Sequence, residues 1–159
     1  MHLWPSVDIG TSIQIALVWR LLVAAVLGAL LGLERSLAGK HAGMRTYALV
    51  SMGSALFVMT GVLASYQLSS FTGINPLQVA ANVVLGVGFL GTGLAMFHGE
   101  HPVELTTAAG LWVAAGIGMT TGFGFELLAL GGAVLALLIL TLLNPFENIM
   151  RTKYGTEER

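Results

Sequence analysis

Long apolar runs separated by short polar segments dominate the sequence. Each run is close to the roughly 18 to 20 residues that an α-helix needs to cross the hydrocarbon layer of a bilayer. The pattern therefore predicts an all-α integral membrane protein with about five transmembrane helices, at about residues 15–33, 47–66, 79–97, 105–122 and 127–143. Residues 1–145 would form one transmembrane domain, and the polar residues 146–159 a cytoplasmic tail too short to fold alone.

Composition and charge narrow the class further. Of the 159 residues, 55% are hydrophobic and only 9% are charged, and no charged residue occurs between Thr46 and Gly99. The net charge of −1 and the lack of a basic stripe argue against a nucleic-acid partner and leave the lipid bilayer as the expected surroundings. Because cysteine is absent and polar residues are few, we expect neither enzymatic activity nor a cofactor.

Small residues recur at helical spacing and predict close contacts between helices. Glycines on one helix face allow two backbones to approach each other inside a membrane. The expected contact glycines are Gly28, Gly32, Gly86, Gly88, Gly91, Gly93, Gly110 and Gly118. Residues 86–91 also fit the dinucleotide pattern G-x-G-x-x-G, but no strand precedes them and no acidic residue follows at the required distance, so we reject nucleotide binding. The small-residue faces of the helices can serve contacts between chains as well as within one chain. They therefore also predict a homo-oligomer, taken as a dimer.

Basic residues near the predicted helix ends set the orientation, because they favour the cytoplasmic side. They occur in the first loop and in the tail, whereas the opposite loops have none: Arg35, Lys40, Arg45, Arg151, Lys153 and Arg159. This distribution predicts a multi-pass protein of the bacterial inner membrane with its N-terminus outside and its C-terminus in the cytoplasm. Arg20 is expected to extend outward to water, and Tyr47 to lie in a headgroup layer.

Four polar residues lie where the first two predicted helices meet water: Glu34, Arg35, Arg45 and Thr46. One interpretation is a solvated turn. The other is a functional cluster in which Glu34 pairs with Arg45 across the turn, near Thr106 and Thr107 at the start of the fourth helix. The polar Asn82 lies about one turn into the third helix from its outer end, so either the site extends to it along the glycine face or Asn82 is a separate feature. The helix macrodipole opposes Glu34 at a C-terminus and Arg45 at an N-terminus, which indicates a purpose other than helix stability.

A second group of polar residues lies in the loop before the fourth helix. His98, Glu100, His101 and Glu104 could supply nitrogen and oxygen ligands to a divalent cation. Their spacing matches no established metal pattern, so the alternative interpretation is a hydrophilic turn.

Two blocks of sequence resemble a known family. The first contains Gly28-x-x-x-Gly32, Glu34-Arg35 and the run Ala42-Gly43-Met44-Arg45-Thr46, and the second contains Gly86-Val87-Gly88-Phe89-Leu90-Gly91-Thr92-Gly93 followed by Leu105-Thr106-Thr107-Ala108-Ala109. Both are similar to the signature blocks of the MgtC/SapB family of bacterial membrane proteins. The resemblance implies a role in growth at low magnesium, and a short form without the soluble C-terminal domain that some members carry.

Three functions remain open from the sequence. The first is a non-enzymatic inner-membrane protein that acts in magnesium or ion homeostasis, or in envelope stress, by binding another membrane protein or itself. The second is a small transporter or channel, formed by a homo-oligomer, with a polar path through Asn82 and the Glu34 cluster. The third is a helix-packing module with no site.

Overall fold

The fold is a bundle of five α-helices. The computed structural model describes residues 10–67, 75–96 and 105–154, with side chains described as far as 94 and 143 in the last two ranges. The helices are α1 (Thr11–Leu37), α2 (Met44–Gln67), α3 (Pro76–Met96), α4 (Leu105–Gly122) and α5 (Glu126–Tyr154). No strand occurs in these ranges, and the predicted all-α membrane class is confirmed. Four helices contain segments long and apolar enough to cross a membrane: α1, α2, Pro76–Leu94 and Glu126–Leu143.

The remaining helix, α4, lies at the centre of the bundle. It contacts each of the other four helices. Nine of its 18 residues are buried, and many of these are glycine, alanine or threonine. A helix enclosed by other helices need not present large apolar side chains to lipid, so a lower hydropathy is compatible with its position. At a rise of 1.5 Å per residue its length is about 27 Å, close to the hydrocarbon thickness.

α1 and α2 form an antiparallel hairpin whose backbones touch. A Cβ atom added at Gly28 would lie 2.5 Å from the carbonyl oxygen of Tyr47, and one added at Gly32 would lie 2.6 Å from the Cα atom of Met44. Between them, the Ser51 hydroxyl donates a hydrogen bond to the carbonyl oxygen of Ala24 at 2.7 Å. Gly28 and Gly32 therefore make the close contact between α1 and α2 that their four-residue spacing predicts.

α4 packs on the other side of α2 and runs parallel to it. A Cβ added at Gly110 would overlap the Tyr47 hydroxyl, one at Gly118 would overlap the Ser51 carbonyl, and one at Gly122 would lie 2.8 Å from the Ala55 carbonyl oxygen. The α4 positions advance along the chain as their α2 partners do, so both helices leave the hairpin turn in the same direction. α2 is thus held between two glycine faces.

α3 does not use its glycines in this way. No described atom lies within 4 Å of a Cβ built at Gly86, Gly88 or Gly93, and one at Gly91 would lie 3.5 Å from the Ala108 Cβ. Within the described part of the chain Gly86, Gly88 and Gly93 therefore contact no other helix, and their role in helix contact stays a prediction. The reason is the position of α3 at the edge of the bundle, where it contacts α2 and α4 alone among the described helices.

Several helices extend beyond the predicted bounds, and two of these extensions move polar residues or the predicted tail into a helix. α1 continues to Leu37, so Glu34 and Arg35 lie within the helix and not in a loop. α5 continues through Pro145 to Tyr154, across the position at which the sequence predicted a boundary between membrane domain and tail. Proline at 145 removes one backbone hydrogen bond, to the carbonyl of Thr141, but the bonds on either side can still form.

Candidate functional site

The turn between α1 and α2 is held in a defined shape. Gly39 adopts a φ of +70°, which glycine tolerates without steric cost. Its N–H donates to the Ser36 carbonyl at 3.1 Å and the Lys40 N–H donates to the Arg35 carbonyl at 3.0 Å, a pair of bonds that terminates α1. The Ser36 hydroxyl oxygen then accepts a hydrogen bond from the Met44 N–H at 3.0 Å. This contact fixes the start of α2 against the end of α1.

Glu34 and Arg35 form an ion pair at this end of α1. The Arg35 Nη2 donates to one carboxylate oxygen of Glu34 at 2.6 Å and its Nε donates to the other. The Arg35 side chain is 4% exposed and that of Glu34 15% exposed. Adjacent residues do not face each other across a helix, so their side chains must curl together to meet. A nearly buried cation is thus neutralised by its own neighbour in sequence.

Arg45 does not take part in this pair, and the predicted bond between Glu34 and Arg45 is wrong. Arg45 and Thr46 lie in the first turn of α2 and are exposed, and no ion pair of Arg45 occurs among the described residues. Tyr47 and Ser51 are among the residues of α2 that face α1 and α4. Arg45 precedes Tyr47 by two positions, about 200° around the helix, and therefore points away from the bundle.

Tyr47 lies at the hairpin end of α2 and is completely buried, so it faces other helices and, contrary to the prediction, does not contact lipid headgroups. Its hydroxyl donates a hydrogen bond of 2.9 Å to the carbonyl oxygen of Thr107 in the first turn of α4. Thr107 is also fully buried, and its own hydroxyl has no hydrogen-bond partner among the described residues. Thr106 is exposed. α4 therefore begins beside the hairpin turn, as the predicted cluster required.

A cavity of about 320 Å³ opens at the same end of the bundle. Its walls come from the hairpin turn, the end of α3 and the first half of α4: His41, Ala42, Thr46, Leu90, Gly93, Leu94 and Leu111. Together with the exposed Arg45, it gives this end a mixed polar and apolar surface. We define the hairpin-end site as Glu34, Arg35, Arg45, Thr46 and Thr107.

Asn82 lies apart from the hairpin-end site. It is the seventh residue of α3, near the opposite end of the bundle, and is exposed. It lines an apolar groove of about 620 Å³ between α2 and α3, with Ser54 and Gly53 on the α2 side. The Ser54 hydroxyl already donates to the Val50 carbonyl at 2.7 Å. The structure thus separates Asn82 from the polar residues with which the sequence grouped it.

An ion pair that the sequence did not predict joins α1 to α5. The Arg20 Nε lies 2.9 Å from the Glu126 carboxylate, and the guanidinium group packs against Gly124 in the turn before α5. Gly124 has a φ of +87°. The sequence predicts that Arg20 extends outward, and its side chain is 35% exposed, but at a separation of 106 residues the sequence does not indicate its partner.

The proposed cation ligands His98, Glu100, His101 and Glu104 lie outside the described residues. Within the described ranges, no group of three or more His, Cys, Asp and Glu residues is placed so that it could hold a metal ion.

The fold and the hairpin-end site define a multi-pass helical membrane protein with a nearly buried ion pair at the hairpin end of the bundle. The MgtC family pattern matches residues 21–149, which is most of the chain. The protein therefore belongs to the MgtC family. No solved structure matches the chain significantly.

Three curated relatives illustrate this membership. The chain is 43% identical over 123 residues to "Putative magnesium transporter YhiD" of Escherichia coli (strain K12), covering 76% of the chain and 57% of the relative. It is 44% identical over 136 residues to "Protein SrpB" of Synechococcus elongatus, covering 80% and 74%. It is 41% identical over 117 residues to "Protein MgtC" of Salmonella typhimurium, covering 74% and 48%. The match thus spans about half the length of the first and third relatives.

Proposed function

We propose that this protein acts in magnesium homeostasis of the bacterial inner membrane, without enzymatic activity, by binding another membrane protein through the hairpin-end site. The Escherichia coli relative is named "Putative magnesium transporter YhiD", which associates that protein with magnesium. The exposed Arg45 and Thr46 supply the polar contacts, and the cavity beside them accepts an apolar side chain of the partner.

The observation that carries this proposal is the packing of α1, α2 and α4. Their backbones touch at Gly28, Gly118 and Gly122, which leaves no room for a water-filled path between them. Two hydroxyl groups inside this packing bond to carbonyl oxygens, Ser51 to Ala24 and Thr121 to Ile117. Arg45 and Thr46 instead have a free surface at the hairpin end, which favours binding there over conduction by a single chain.

The test compares Arg45→Gln with Lys40→Gln in a strain that lacks its own homologue. Both changes remove one positive charge from the hairpin region, but only Arg45 belongs to the hairpin-end site. We expect Arg45→Gln to lose support of growth at limiting magnesium while membrane abundance stays at the wild-type level, and Lys40→Gln to grow as wild type. Equal growth of both variants would contradict the proposal.

A second function is favoured by one observation: the amide of Asn82 lines a groove of about 620 Å³. An oligomer that enclosed this groove would place a polar group on a path for an ion or small solute. Magnesium flux into liposomes that hold the purified protein distinguishes the two. We expect no flux above empty liposomes; flux that Asn82→Ala abolishes would instead establish the transporter.

The proposed orientation places the N-terminus outside and the C-terminus in the cytoplasm, which requires that α4 cross the membrane. Support comes from its contacts, which run from Tyr47 at the hairpin end to Ala55 deeper along α2. Reporter fusions after Gly73 and after Arg159 should give opposite signals: a periplasmic enzyme active at the first, a cytoplasmic fluorophore bright at the second. The same signal at both positions would mean that α4 does not cross.

A further inference from the structure

α3 differs from the other spanning helices in how little of it the chain itself covers. Only 11% of its spanning segment is buried, compared with 22–33% in α1, α2 and α5. Gly86, Gly88 and Gly93 have no described neighbour at their Cβ positions, as is also true of Gly53 and Gly116. It is therefore the small buried share of α3 as a whole that a further contact would explain.

Exposure of the Asn82 side chain to lipid is energetically unfavourable for α3. It lies about 9 Å along the axis from Pro76, at a rise of 1.5 Å per residue, and thus within the apolar segment Pro76–Leu94. Its amide makes no hydrogen bond to any residue that the structure describes. Lipid tails offer neither donors nor acceptors, so an amide at this depth gains free energy from any partner that supplies both.

One face of α3 combines this amide with open glycines. Asn82, Gly86, Phe89 and Gly93 follow each other at spacings of four, three and four residues, which places them within about 60° around the helix. Phe89 is 79% exposed, and neither Gly86 nor Gly93 has a described neighbour within 4 Å of its Cβ position. We call these four residues the α3 face. It offers a protruding ring between two flat positions, a shape that can interlock with a copy of itself.

We propose that the α3 face binds the α3 face of a second copy of this chain, about a two-fold axis along the membrane normal. Such an axis keeps both copies in the same orientation, so each Asn82 meets the other Asn82 at equal depth. An asparagine amide both donates and accepts, so two of them satisfy each other by reciprocal hydrogen bonds. This self-complementarity selects a second copy over lipid. Gly93 also lines the hairpin-end cavity, so the α3 face adjoins that cavity, but the contact between two copies is tested separately from the hairpin end.

Disulfide crosslinking in native membranes tests the contact directly, because the chain contains no cysteine. Phe89→Cys introduces a thiol on the α3 face. Ile139→Cys is the matched control: it is 57% exposed on α5 and lies as many residues from the start of α5 as Phe89 does from the start of α3. We expect an oxidant to produce a crosslinked dimer in Phe89→Cys and none in Ile139→Cys. Equal yields, or no dimer in Phe89→Cys, would overturn the proposal.

The role of the amide is tested by self-association of the purified protein at increasing dilution in lipid. Asn82→Leu keeps the side-chain size and should weaken the dimer by about tenfold, since interhelical polar bonds contribute about 1–2 kcal/mol. Asn82→Gln retains donor and acceptor and should restore part of the affinity. Thermal unfolding of both variants checks that they remain folded. A dimer of Asn82→Leu as tight as wild type would show that the amide does not hold the interface.

Discussion

Replacing Gly118 with alanine is expected to destabilise the protein more than any other single methyl addition on α4. The new Cβ would overlap the carbonyl oxygen of Ser51, and it would also lie 2.9 Å from the Cα atom of that residue. Because these atoms belong to the backbone, no rotamer change can relieve the overlap, and α2 and α4 must separate. Overpacking of a close contact costs about 1–3 kcal/mol, and we expect a loss of about 3 kcal/mol here.

Gly116→Ala is the control for this prediction. It lies on the same helix two residues earlier, and no described atom lies within 4 Å of its Cβ position. Alanine is favoured over glycine in a helix by up to about 1 kcal/mol, so this variant should be as stable as wild type or more stable. The free energy of unfolding in detergent measures both. If the two variants unfold alike, α4 does not touch α2 as the structure shows.

The sequence predicted the helices of this bundle because the lipid environment imposes a strong pattern on them. Long uncharged runs define spans, and glycine spacing defines faces, so α4 was predicted at the residues that it occupies, Leu105–Gly122. Which glycine faces meet could not be predicted, because Gly28 and Gly86 occur in equally favourable patterns. The difference lies in the tertiary arrangement: α2 lies between α1 and α4, whereas α3 lies at the edge.

The candidate site was predicted less well, because side-chain partners depend on rotation about each helix. The sequence located Glu34, Arg35 and Arg45 at one end of the bundle, but not the direction in which Arg45 points. The direction of Arg45 follows from its position two residues before Tyr47, which faces the inside of the bundle. The sequence alone places Tyr47 in the headgroup layer and therefore does not provide that reference. The glycines that face it, Gly28, Gly32 and Gly110, are the signal that could have shown that it is buried.

Neutralising Glu34 is expected to destabilise the protein strongly. Glu34→Gln would leave the Arg35 guanidinium, 4% exposed, without its counter-charge. Breaking a buried ion pair on one side costs about 3–5 kcal/mol. The position at the edge of the hydrocarbon gives some access to water, so we expect a loss near the lower limit, about 3 kcal/mol. Chemical unfolding in detergent measures this loss.

Arg35→Gln should cost less, because Glu34 is more exposed and can turn toward water once its partner is gone. The double variant Glu34→Gln with Arg35→Gln should be more stable than the sum of the single effects predicts. Coupling of about 1–3 kcal/mol in this double-mutant cycle would measure the pair directly. Strict additivity would mean that the two side chains do not interact.

Charge reversals decide which arginine is the partner of Glu34. Exchanging the pair, Glu34→Arg with Arg35→Glu, should recover most of the stability that Glu34→Arg alone removes, because the ion pair is re-formed with opposite polarity. Combining Glu34→Arg with Arg45→Glu should recover none, since Arg45 is exposed and has no described ion-pair partner. If Glu34→Arg with Arg45→Glu recovered stability, Arg45 would be the ion-pair partner of Glu34, as the sequence alone suggested. Arg45→Gln should leave the free energy of unfolding unchanged, so that its loss of growth support, which the proposed function requires, cannot be attributed to misfolding.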